Sequence, residues 1–475
     1  MKSSVRTITT PSGSIQGKAT PNGGSEFLGV PFATAARFEP PVDITSGYDD
    51  FDASNFGHIC PQIPGMLEMA LNMNPNDMNE DCLNLNVYIP HDPVNSQSLP
   101  VLVWIHGGAY TNGAGSIAWY NGASLASRGC IVVAINYRLG AFGFLGDGNY
   151  GTLDMLSALR WVQRNISSFG GDTNNVTIFG QSAGGSAVVS LLAARDIDGL
   201  VHKAWAMSPS IGQLRTHKRS QELQQQFLDL AGVSSIEEAR RLSVEDVLAI
   251  QQKQMNTTTK EFDFYAPTAG GDSLHDEILD VAARSPIPLV VGTNRDENKL
   301  WSAFDTTLAN ADMSTWEQFT TETFGAKAVE AKSVYETLRP GESPKDLMSA
   351  VSTDTGFRQR AQRLCEARVN NDLPTWMYWF TWPSPVFDGI VGCCHALDIP
   401  FAFDNLHAEG ADLMTGDSPE RAGIADRFAS EIVAFATHGH PSWSQFNCTD
   451  RPTLVIDTET HLTHDPEPAI RLLYV

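Results

Sequence analysis

One segment of the sequence places a serine between glycines in a spacing that favours nucleophilic catalysis. The segment is Gly180-Gln181-Ser182-Ala183-Gly184, which fits the pattern G-x-S-x-G. An apolar run at 176–179 precedes it and a run of small residues follows, as expected for a strand that turns sharply into a helix. Such a turn lifts the hydroxyl clear of the sheet and places it at a helix N-terminus, where free N–H groups favour negative charge. Ser182 is therefore the predicted nucleophile.

A second glycine-rich segment follows another predicted strand. Residues 101–105 run directly into His106-Gly107-Gly108-Ala109. A serine hydroxyl is a poor nucleophile at neutral pH, so it needs a base and donors that stabilise the oxyanion formed on attack. An HGG loop at a strand end supplies such donors from its backbone N–H groups. The predicted donors are Gly108 and Ala109, joined by Ala183 directly after the nucleophile.

The elements that must position these segments alternate between strands and helices. Helices are predicted at 153–165 and 183–193 from their apolar spacing and small-residue content. The predicted strands of this alternation are short apolar runs at 101–105, 130–135, 176–179, 203–207 and 288–292. Strands that alternate with helices in this order predict an α/β fold with a largely parallel sheet.

Two polar stretches lie outside this alternation. Residues 217–255 are Gln-rich and have a helical stripe of apolar residues, and residues 311–371 also have a mainly helical pattern. Because no Pro/Gly/Ser-rich linker separates them, we predict a single domain over 1–475 with helical cap insertions around 217–255 and 311–371. The caps are expected to wall the substrate site, since loops and lids carry specificity.

Charge and hydropathy exclude several classes of partner. The chain has 32 Lys and Arg against 55 Asp and Glu, a net charge of −23. Such a surface repels phosphate backbones, so we expect no nucleic-acid partner. No run approaches the roughly 20 apolar residues of a membrane span, and the first residues carry no signal-peptide pattern. We expect no membrane span and a cytoplasmic protein, or a secreted one if the chain is a trimmed mature form.

The seven cysteines do not indicate a metal site. They show no CxxC or Cys/His spacing of the kind that binds zinc. Cys393 and Cys394 directly precede His395, but adjacent cysteines cannot easily face one metal, so they are predicted to be packing residues. We expect neither a metal nor a cofactor.

Several further segments resemble the type B carboxylesterase family, the group of cholinesterases and bacterial para-nitrobenzyl esterases, over nearly the whole chain. The segments are Phe27-Leu28-Gly29-Val30-Pro31-Phe32-Ala33, Glu80-Asp81-Cys82-Leu83-Asn84-Leu85-Asn86-Val87-Tyr88, Asn136-Tyr137-Arg138-Leu139-Gly140, Phe169-Gly170-Gly171-Asp172 and Asn175-Val176-Thr177-Ile178-Phe179-Gly180. The resemblance implies an α/β-hydrolase fold, with a largely parallel central sheet flanked by helices. It also implies hydrolysis of small-molecule carboxylic esters by a monomer or small homo-oligomer.

The resemblance also implies the other two members of a catalytic triad. The family's acid follows a strand, in a segment matched here by 292–298, which makes Glu297 the acid and its neighbour Asp296 not the acid. The family's histidine begins an H-A-x-x-[IL]-P-F segment, matched by 395–401, which makes His395 the base. The chain order Ser182, Glu297, His395 agrees with the order of that fold.

The chain departs from the family pattern in the residues beside the nucleophile and beside the acid. Gln181 replaces a frequent Glu, which weakens the attraction of the site for cations. Asn298 replaces the usual glycine after the acid, a mild change because Asn tolerates φ > 0 better than most residues.

Cys60 and Cys82 match positions that form a disulfide in secreted relatives, and in a reducing cytoplasm they are expected to be thiols. Four tryptophans are candidates either for the pocket or for the core: Trp205, Trp301, Trp379 and Trp382.

These residues predict acyl transfer through a covalent acyl-enzyme, with two alternatives. The same triad would serve related acyl bonds, namely carbamates, amides or thioesters. A catalytically silent, esterase-like binding protein is the other alternative, because the family includes such members. Silent members usually lack the nucleophile, whereas this chain has the serine, the acid, the histidine and the HGG loop.

Overall fold

The computed structural model describes residues 5–20, 23–65, 69, 77–91, 98–257 and 264–475. Its strands are β1 Val5–Thr10, β2 Gly13–Ala19, β3 Ser25–Pro31, β4 Ala33–Thr34, β5 Val42–Asp43, β6 Tyr48–Asp52, β7 Asn84–Ile89, β8 Leu99–Ile105, β9 Ile131–Ile135, β10 Gly171–Gln181, β11 Lys203–Met207, β12 Leu289–Asn294, β13 Thr375–Phe380, β14 Pro452–Ile456 and β15 His461–His464. Within these residues, 13 strands form one sheet, and β4 pairs with β5 in a small separate sheet.

The centre of the large sheet is parallel. Its strand order is β1-β2-β3-β7-β9-β8-β10-β11-β12-β13-β14-β15, with β6 beside β2. The strands from β9 to β14 in this order pair in parallel, whereas β7–β9 and β14–β15 pair antiparallel. Every residue of β9, β11 and β12 is buried, as expected for strands covered on both faces. The predicted largely parallel α/β sheet is therefore confirmed.

Helices cover the sheet and form the stretches between its strands. They are α1 Ala123–Ala126, α2 Gly140–Phe144, α3 Tyr150–Asn165, α4 Ala183–Leu191, α5 His217–Ala231, α6 Ile236–Ala239, α7 Val244–Met255, α8 Ile278–Ala282, α9 Lys299–Ser302, α10 Met313–Phe324, α11 Ala328–Leu338, α12 Pro344–Thr353, α13 Gln359–Val369, α14 Ile399–Ala402, α15 Asp412–Thr415, α16 Arg421–His438 and α17 Pro468–Leu473. No helix in the described ranges has both the length and the apolar character needed to cross a bilayer.

Two apolar cores lie on opposite faces of the sheet. Val101 and Val103 of β8 belong to one core, and the alternate residues Leu102 and Trp104 belong to the other. This division follows from the period of two in a strand, which points successive side chains to opposite faces. Helices α3 and α4 pack on the first core and α16 on the second.

The two stretches predicted to be helical contain α5 to α7 and α10 to α13, respectively. A single π-helical turn, Asp354–Arg358, joins α12 to α13. Such turns are rare and occur frequently at functional sites. A third apolar cluster, which includes Trp316, Tyr335 and Leu347, holds α10 to α12 against the C-terminal α17. No sequence pattern predicted the π turn, because a single turn leaves no periodicity to detect.

Candidate active site

Ser182 lies at the turn between β10 and α4, as the sequence predicts. Its φ is 58° and its ψ is −124°, a strained conformation for a residue other than glycine. Its N–H donates to Met207 O at 2.9 Å, and its carbonyl accepts from Ser186 N at 2.8 Å. These bonds tie the turn to β11 and α4. The strained turn is therefore held on both sides by the backbone.

Close packing fixes the direction in which α4 leaves the sheet. A Cβ at Gly184 would lie 2.0 Å from Ile105 O and 2.8 Å from His106 O. A side chain would therefore collide with the backbone at the end of β8, so only glycine fits. The same contact brings the start of α4 next to the HGG loop.

His395 and Glu297 form a short buried pair. His395 Nδ1 donates to Glu297 Oε2 over 2.6 Å, and the two residues are 3% and 0% exposed. The second oxygen, Glu297 Oε1, accepts from Asn294 N at 2.7 Å. Because the carboxylate only accepts, it assigns the ring proton to Nδ1 and leaves Nε2 as the acceptor. Nε2 is the nitrogen that a general base uses in this arrangement.

The parallel sheet brings these residues together from distant parts of the chain. Ser182 follows β10, Glu297 follows β12 and His395 follows β13. The carboxyl ends of parallel strands meet at one edge of the sheet, where ligands bind in open α/β folds. Ser182 and His395 line one cavity of about 210 Å³.

Gly108 and Ala109 line the same cavity. Their φ values are 104° and 52°, so the loop turns through a left-handed region. Thr111 N and Asn112 N both donate to Gly108 O, at 2.9 and 3.0 Å, which holds the loop in this shape. Within the described part of the chain, the N–H groups of Gly108 and Ala109 donate to no backbone acceptor, so they are available to a ligand in the cavity. Ala183 is the first residue of α4, directly after Ser182, and is itself buried.

His106, the first residue of the HGG loop, is buried. Burial lowers the pKa of His106 to about 4, although its hydrogen bond to Gly107 O acts in the opposite direction. Its ring stacks on Tyr137 with centroids 4.5 Å apart. The Tyr137 hydroxyl donates to His106 O at 2.9 Å. His106 thus anchors the start of the loop through its contacts with Tyr137, and it carries no charge at neutral pH.

Gln181 contacts the base directly. Its side-chain Nε2 lies 3.2 Å from His395 Nε2 and 3.5 Å from His395 Nδ1. Since Nδ1 already donates to Glu297, the amide donates to the lone pair on Nε2. The residue that departs from the family pattern therefore touches the nitrogen that would take up the proton of the serine.

Two aromatic rings contact His395. Trp301 and Phe357 lie with ring centroids 5.1 and 5.0 Å from it. Trp301 lines the cavity and is 48% exposed. Phe357 belongs to the π turn. The other large apolar residues that line the cavity are Ile117, Trp119, Tyr120, Leu300 and Ile399.

Of the four tryptophans named from the sequence, one lies at the cavity. Trp205 and Trp382 belong to the second core. Trp379 lies under the guanidinium of Arg358, 4.0 Å from the ring centroid. Sequence reasoning did not identify the lining role of Trp119 and Tyr120 or the contact of Phe357 with His395.

Comparison with known proteins shows which family the chain matches. A family model described as the carboxylesterase family matches residues 4–469. The chain belongs to the carboxylesterase family. Para-nitrobenzyl esterase of Bacillus subtilis (strain 168) is 34% identical over 97% of this chain and 96% of its own length. Fumonisin B1 esterase of Sphingopyxis macrogoltabida is 32% identical over 91% of this chain and 82% of its own.

Solved structures agree with this assignment. A PNB esterase structure superposes with a TM-score of 0.85 at 31% identity and covers 99% of both chains. A Geobacillus stearothermophilus carboxylesterase also has a TM-score of 0.85, at 29% identity, and covers 99% of this chain and 100% of its own. The esterase therefore has the α/β-hydrolase fold predicted from its sequence, and it is a carboxylic ester hydrolase.

The residue after Glu297 differs from expectation in its conformation. Asn298 has φ −69°, an ordinary helical value, so the explanation that Asn tolerates φ > 0 is wrong. Instead, Asn298 N donates to Thr353 Oγ1 at 3.0 Å, and its side chain reaches Ser349 Oγ at 3.4 Å. The esterase accepts Asn at this position because the backbone needs no glycine there and because α12 supplies partners.

The two cysteines that match a disulfide elsewhere in the family are free here. Cys60 and Cys82 are both buried thiols in the structure. The hydrogen bond with Cys60 and burial raise the pKa of the Cys82 thiol well above its ordinary value. Cys60 Sγ also accepts from Leu139 N at 3.2 Å. Both thiols therefore act as packing groups beside the Asn136–Gly140 segment.

Proposed function

We propose that the protein hydrolyses carboxylic esters through an acyl-enzyme, with Ser182 as nucleophile, His395 as base and Glu297 as the acid that orients it. The observation that supports this most strongly is the 2.6 Å contact between His395 Nδ1 and the buried Glu297 carboxylate. It leaves Nε2 as an acceptor in the cavity that Ser182 lines.

In this mechanism, the Ser182 hydroxyl takes the place of the Gln181 amide at the single lone pair of His395 Nε2, which accepts the hydroxyl proton as Ser182 Oγ attacks the ester carbonyl. The N–H groups of Gly108, Ala109 and Ala183 bind the oxygen that becomes negative. The imidazolium then gives its proton to the leaving alcohol, while Glu297 stabilises the cation. Water repeats the sequence and releases the acid. The reaction needs no metal or cofactor.

The cavity favours a small, uncharged ester. Its volume of about 210 Å³ is below the roughly 300–1,000 Å³ of drug-sized sites. The described residues that line it include no Asp, Glu, Lys or Arg and are mainly apolar. Gln181 in place of a carboxylate removes a centre that would attract a cation. We therefore propose a neutral substrate with a short acyl chain or a compact aromatic group.

No residue of the two predicted helical caps lines the cavity among the described residues, but one cap contacts the base. Phe357, from the 311–371 stretch, packs on His395. In the 217–255 stretch, Gln251 of α7 accepts from Ala141 N at 2.9 Å. We propose that both stretches belong to a single domain over 1–475. We also propose that Phe357 forms part of the wall of the substrate site.

Related acyl bonds stay the alternative. Phenmedipham hydrolase of Pseudarthrobacter oxydans is 30% identical over 91% of this chain and 91% of its own length. Its name and those of the relatives above point to substrates of different kinds within one family. The same triad would cleave a carbamate, an amide or a thioester, so a panel of such substrates separates these activities.

The experiment is hydrolysis of p-nitrophenyl acetate, butyrate and octanoate by the wild type, Ser182→Ala and Glu297→Gln. We expect turnover to fall by about 10⁶ for Ser182→Ala and by about 10⁴ for Glu297→Gln, which no longer holds the imidazole as a carboxylate does. Acetate and butyrate should be preferred to octanoate.

The matched control is Ser190→Ala, because Ser190 is a buried serine on α4, the helix that follows Ser182, and it does not line the cavity. It should keep wild-type turnover. Equal activity of Ser182→Ala and the wild type would contradict the proposed nucleophile.

A further inference from the structure

Asp296, the neighbour of the acid, makes contacts that ester hydrolysis by the triad does not explain. It is 6% exposed. Its Oδ1 accepts from Arg339 Nη1 at 2.8 Å, and Arg339 is 3% exposed. Arg339 lies at the C-terminal end of α11, in the 311–371 stretch. An ion pair buried this completely joins a helix of that stretch to the loop that carries Glu297.

The same carboxylate also holds the loop that carries His395. Asp296 Oδ2 accepts from Cys393 N at 3.0 Å, and Asp296 N donates to Cys393 O at 3.0 Å. One step along, His395 N donates to Glu297 O at 3.2 Å. Three hydrogen bonds therefore join the two loops, and Asp296 takes part in two of them, once as acceptor and once as donor.

The charge on Asp296 depends on its partner. Burial opposes ionisation, but Arg339, with Arg295 and Lys299, holds the pKa of Asp296 below its ordinary value. A Cβ at Gly392 would lie 2.8 Å from Asp296 Oδ2, so the second loop packs directly on this carboxylate. Any shift of the carboxylate toward or away from Arg339 is therefore transmitted to the loop.

We propose that Arg339 is a positioning residue for the triad, acting through Asp296 to fix the loop that carries His395 against the loop that carries Glu297. The inference rests on the proposed function of those two residues. Arg339 touches neither substrate nor the reacting atoms, so its effect is on geometry. A displacement of the order of 1 Å at a catalytic group costs about 10² in rate.

The first test variant is Asp296→Asn. Asn keeps an oxygen that accepts from Cys393 N but removes the charge that Arg339 binds. We expect kcat for p-nitrophenyl acetate to fall by about ten- to a hundredfold with KM changed by less than about twofold. The second variant, Arg339→Lys, keeps the positive charge, so it preserves the fold even if Asp296→Asn does not. We expect kcat to fall in Arg339→Lys as well, but by less than in Asp296→Asn.

A structural readout separates positioning from loss of folded protein. The proton that His395 Nδ1 shares with Glu297 is in a short, charge-assisted bond, and its far-downfield ¹H NMR resonance reports that geometry. We expect this resonance to shift or broaden in both variants at temperatures where they remain folded. A purely structural ion pair would lower Tm and leave the resonance and kcat of the folded protein unchanged.

The control is Glu431→Gln. Glu431 is also buried, and it accepts from a backbone N–H, that of Ser442, and from Arg427 at 2.7 Å, but it lies on α16. The Glu431→Gln variant should have a lower Tm than the wild type but the same kcat and the same His395 resonance. If Ser182→Ala is inactive but Arg339→Lys and Asp296→Asn both keep the wild-type kcat and the wild-type resonance, this inference is overturned and the proposed function stands. An active Ser182→Ala would overturn the proposed function and this inference with it.

Discussion

At the scale of the residue, Gln181 decides the charge that surrounds the base. It is buried, and its amide donates to His395 Nε2 over 3.2 Å. A glutamate in the same place would put a negative charge within about 4 Å of the imidazole and of a leaving group beside it. Opposite charges at that distance attract by several kcal/mol at most in a partly wet site. A single neutral side chain therefore removes an attraction for cationic alcohols.

We predict that Gln181→Glu raises the preference for a cationic ester. The ratio of kcat/KM for acetylthiocholine to that for its uncharged isostere, 3,3-dimethylbutyl thioacetate, should rise by about fivefold, which corresponds to about 1 kcal/mol. The reason is that the new carboxylate stabilises the cation and leaves the isostere unaffected. The measurement is steady-state kinetics of both substrates.

The control for this substitution is Gln181→Met, which has a similar volume and no charge. It should leave the ratio at its wild-type value, whatever it does to the absolute rates. Because each ratio is taken within one variant, the folded fraction cancels. A ratio that is the same in all three proteins would show that position 181 does not set the charge preference.

At the scale of the element, the crossing of α4 over the end of β8 sets the site. Ser182, the HGG loop and the start of α4 meet there because Gly184 lets the two backbones approach closely. The strand-to-helix turn could be predicted from consecutive residues. The partner that restricts Gly184 could not, since Ile105 is far away in the sequence.

We predict that Gly184→Ala destabilises the protein and impairs catalysis. The added Cβ would lie 2.0 Å from Ile105 O, so α4 or β8 must move, at a cost of about 1–3 kcal/mol or more. The movement displaces Ser182 from the HGG loop, so kcat should fall further than the folded fraction does. Thermal unfolding and kcat corrected for active protein measure the two effects.

The matched substitution is Gly423→Ala in the exposed first turn of α16. A Cβ at Gly423 meets nothing within 4 Å, so alanine should stabilise the helix by up to about 1 kcal/mol. Opposite signs of the two changes in Tm are expected. If Gly184→Ala were as stable and active as the wild type, the close crossing would not constrain the site.

At the scale of the whole molecule, the stability of the fold depends on a buried carboxyl near Glu297. Asp398 is fully buried, and it accepts from Asn294 Nδ2 at 3.3 Å. Burial, and then the nearby Glu297, raise the pKa of Asp398 to about 8. The folded protein therefore holds this group as a neutral acid at pH 7, although the unfolded chain ionises it near pH 3.9.

This raised pKa makes stability depend on pH. A folded pKa above the unfolded one contributes stability that is complete below about pH 4 and is lost as pH rises toward 8. We predict that the Tm of Asp398→Asn, relative to the wild type, rises steadily between about pH 4 and pH 8 and levels off above. Calorimetry of both proteins across this range measures the difference. A difference that stays constant with pH would contradict a neutral Asp398.

Much of the fold could be predicted because strand and helix patterns are written in consecutive residues. The strand at 203–207 has the predicted bounds, and the helix predicted at 183–193 is Ala183–Leu191. The strands β13 to β15 and the helix α16 were not predicted. β13 and β14 are ordinary apolar segments without a neighbouring motif, and β13 pairs with β12 and β14 with β13, strands distant in sequence. β15 is a short, mostly exposed strand without an apolar pattern.

The sequence by itself determined the nucleophile turn, the HGG loop, the parallel sheet and, through family resemblance, the segments that carry Glu297 and His395. All of these depend on the type and spacing of residues close together in the chain. Only the tertiary structure decided that Trp301 faces the cavity, that Asn298 needs no positive φ and that Asp296 binds Arg339, 43 positions away. Those contacts join segments whose separation in space is set by packing of the whole chain, which no local pattern encodes.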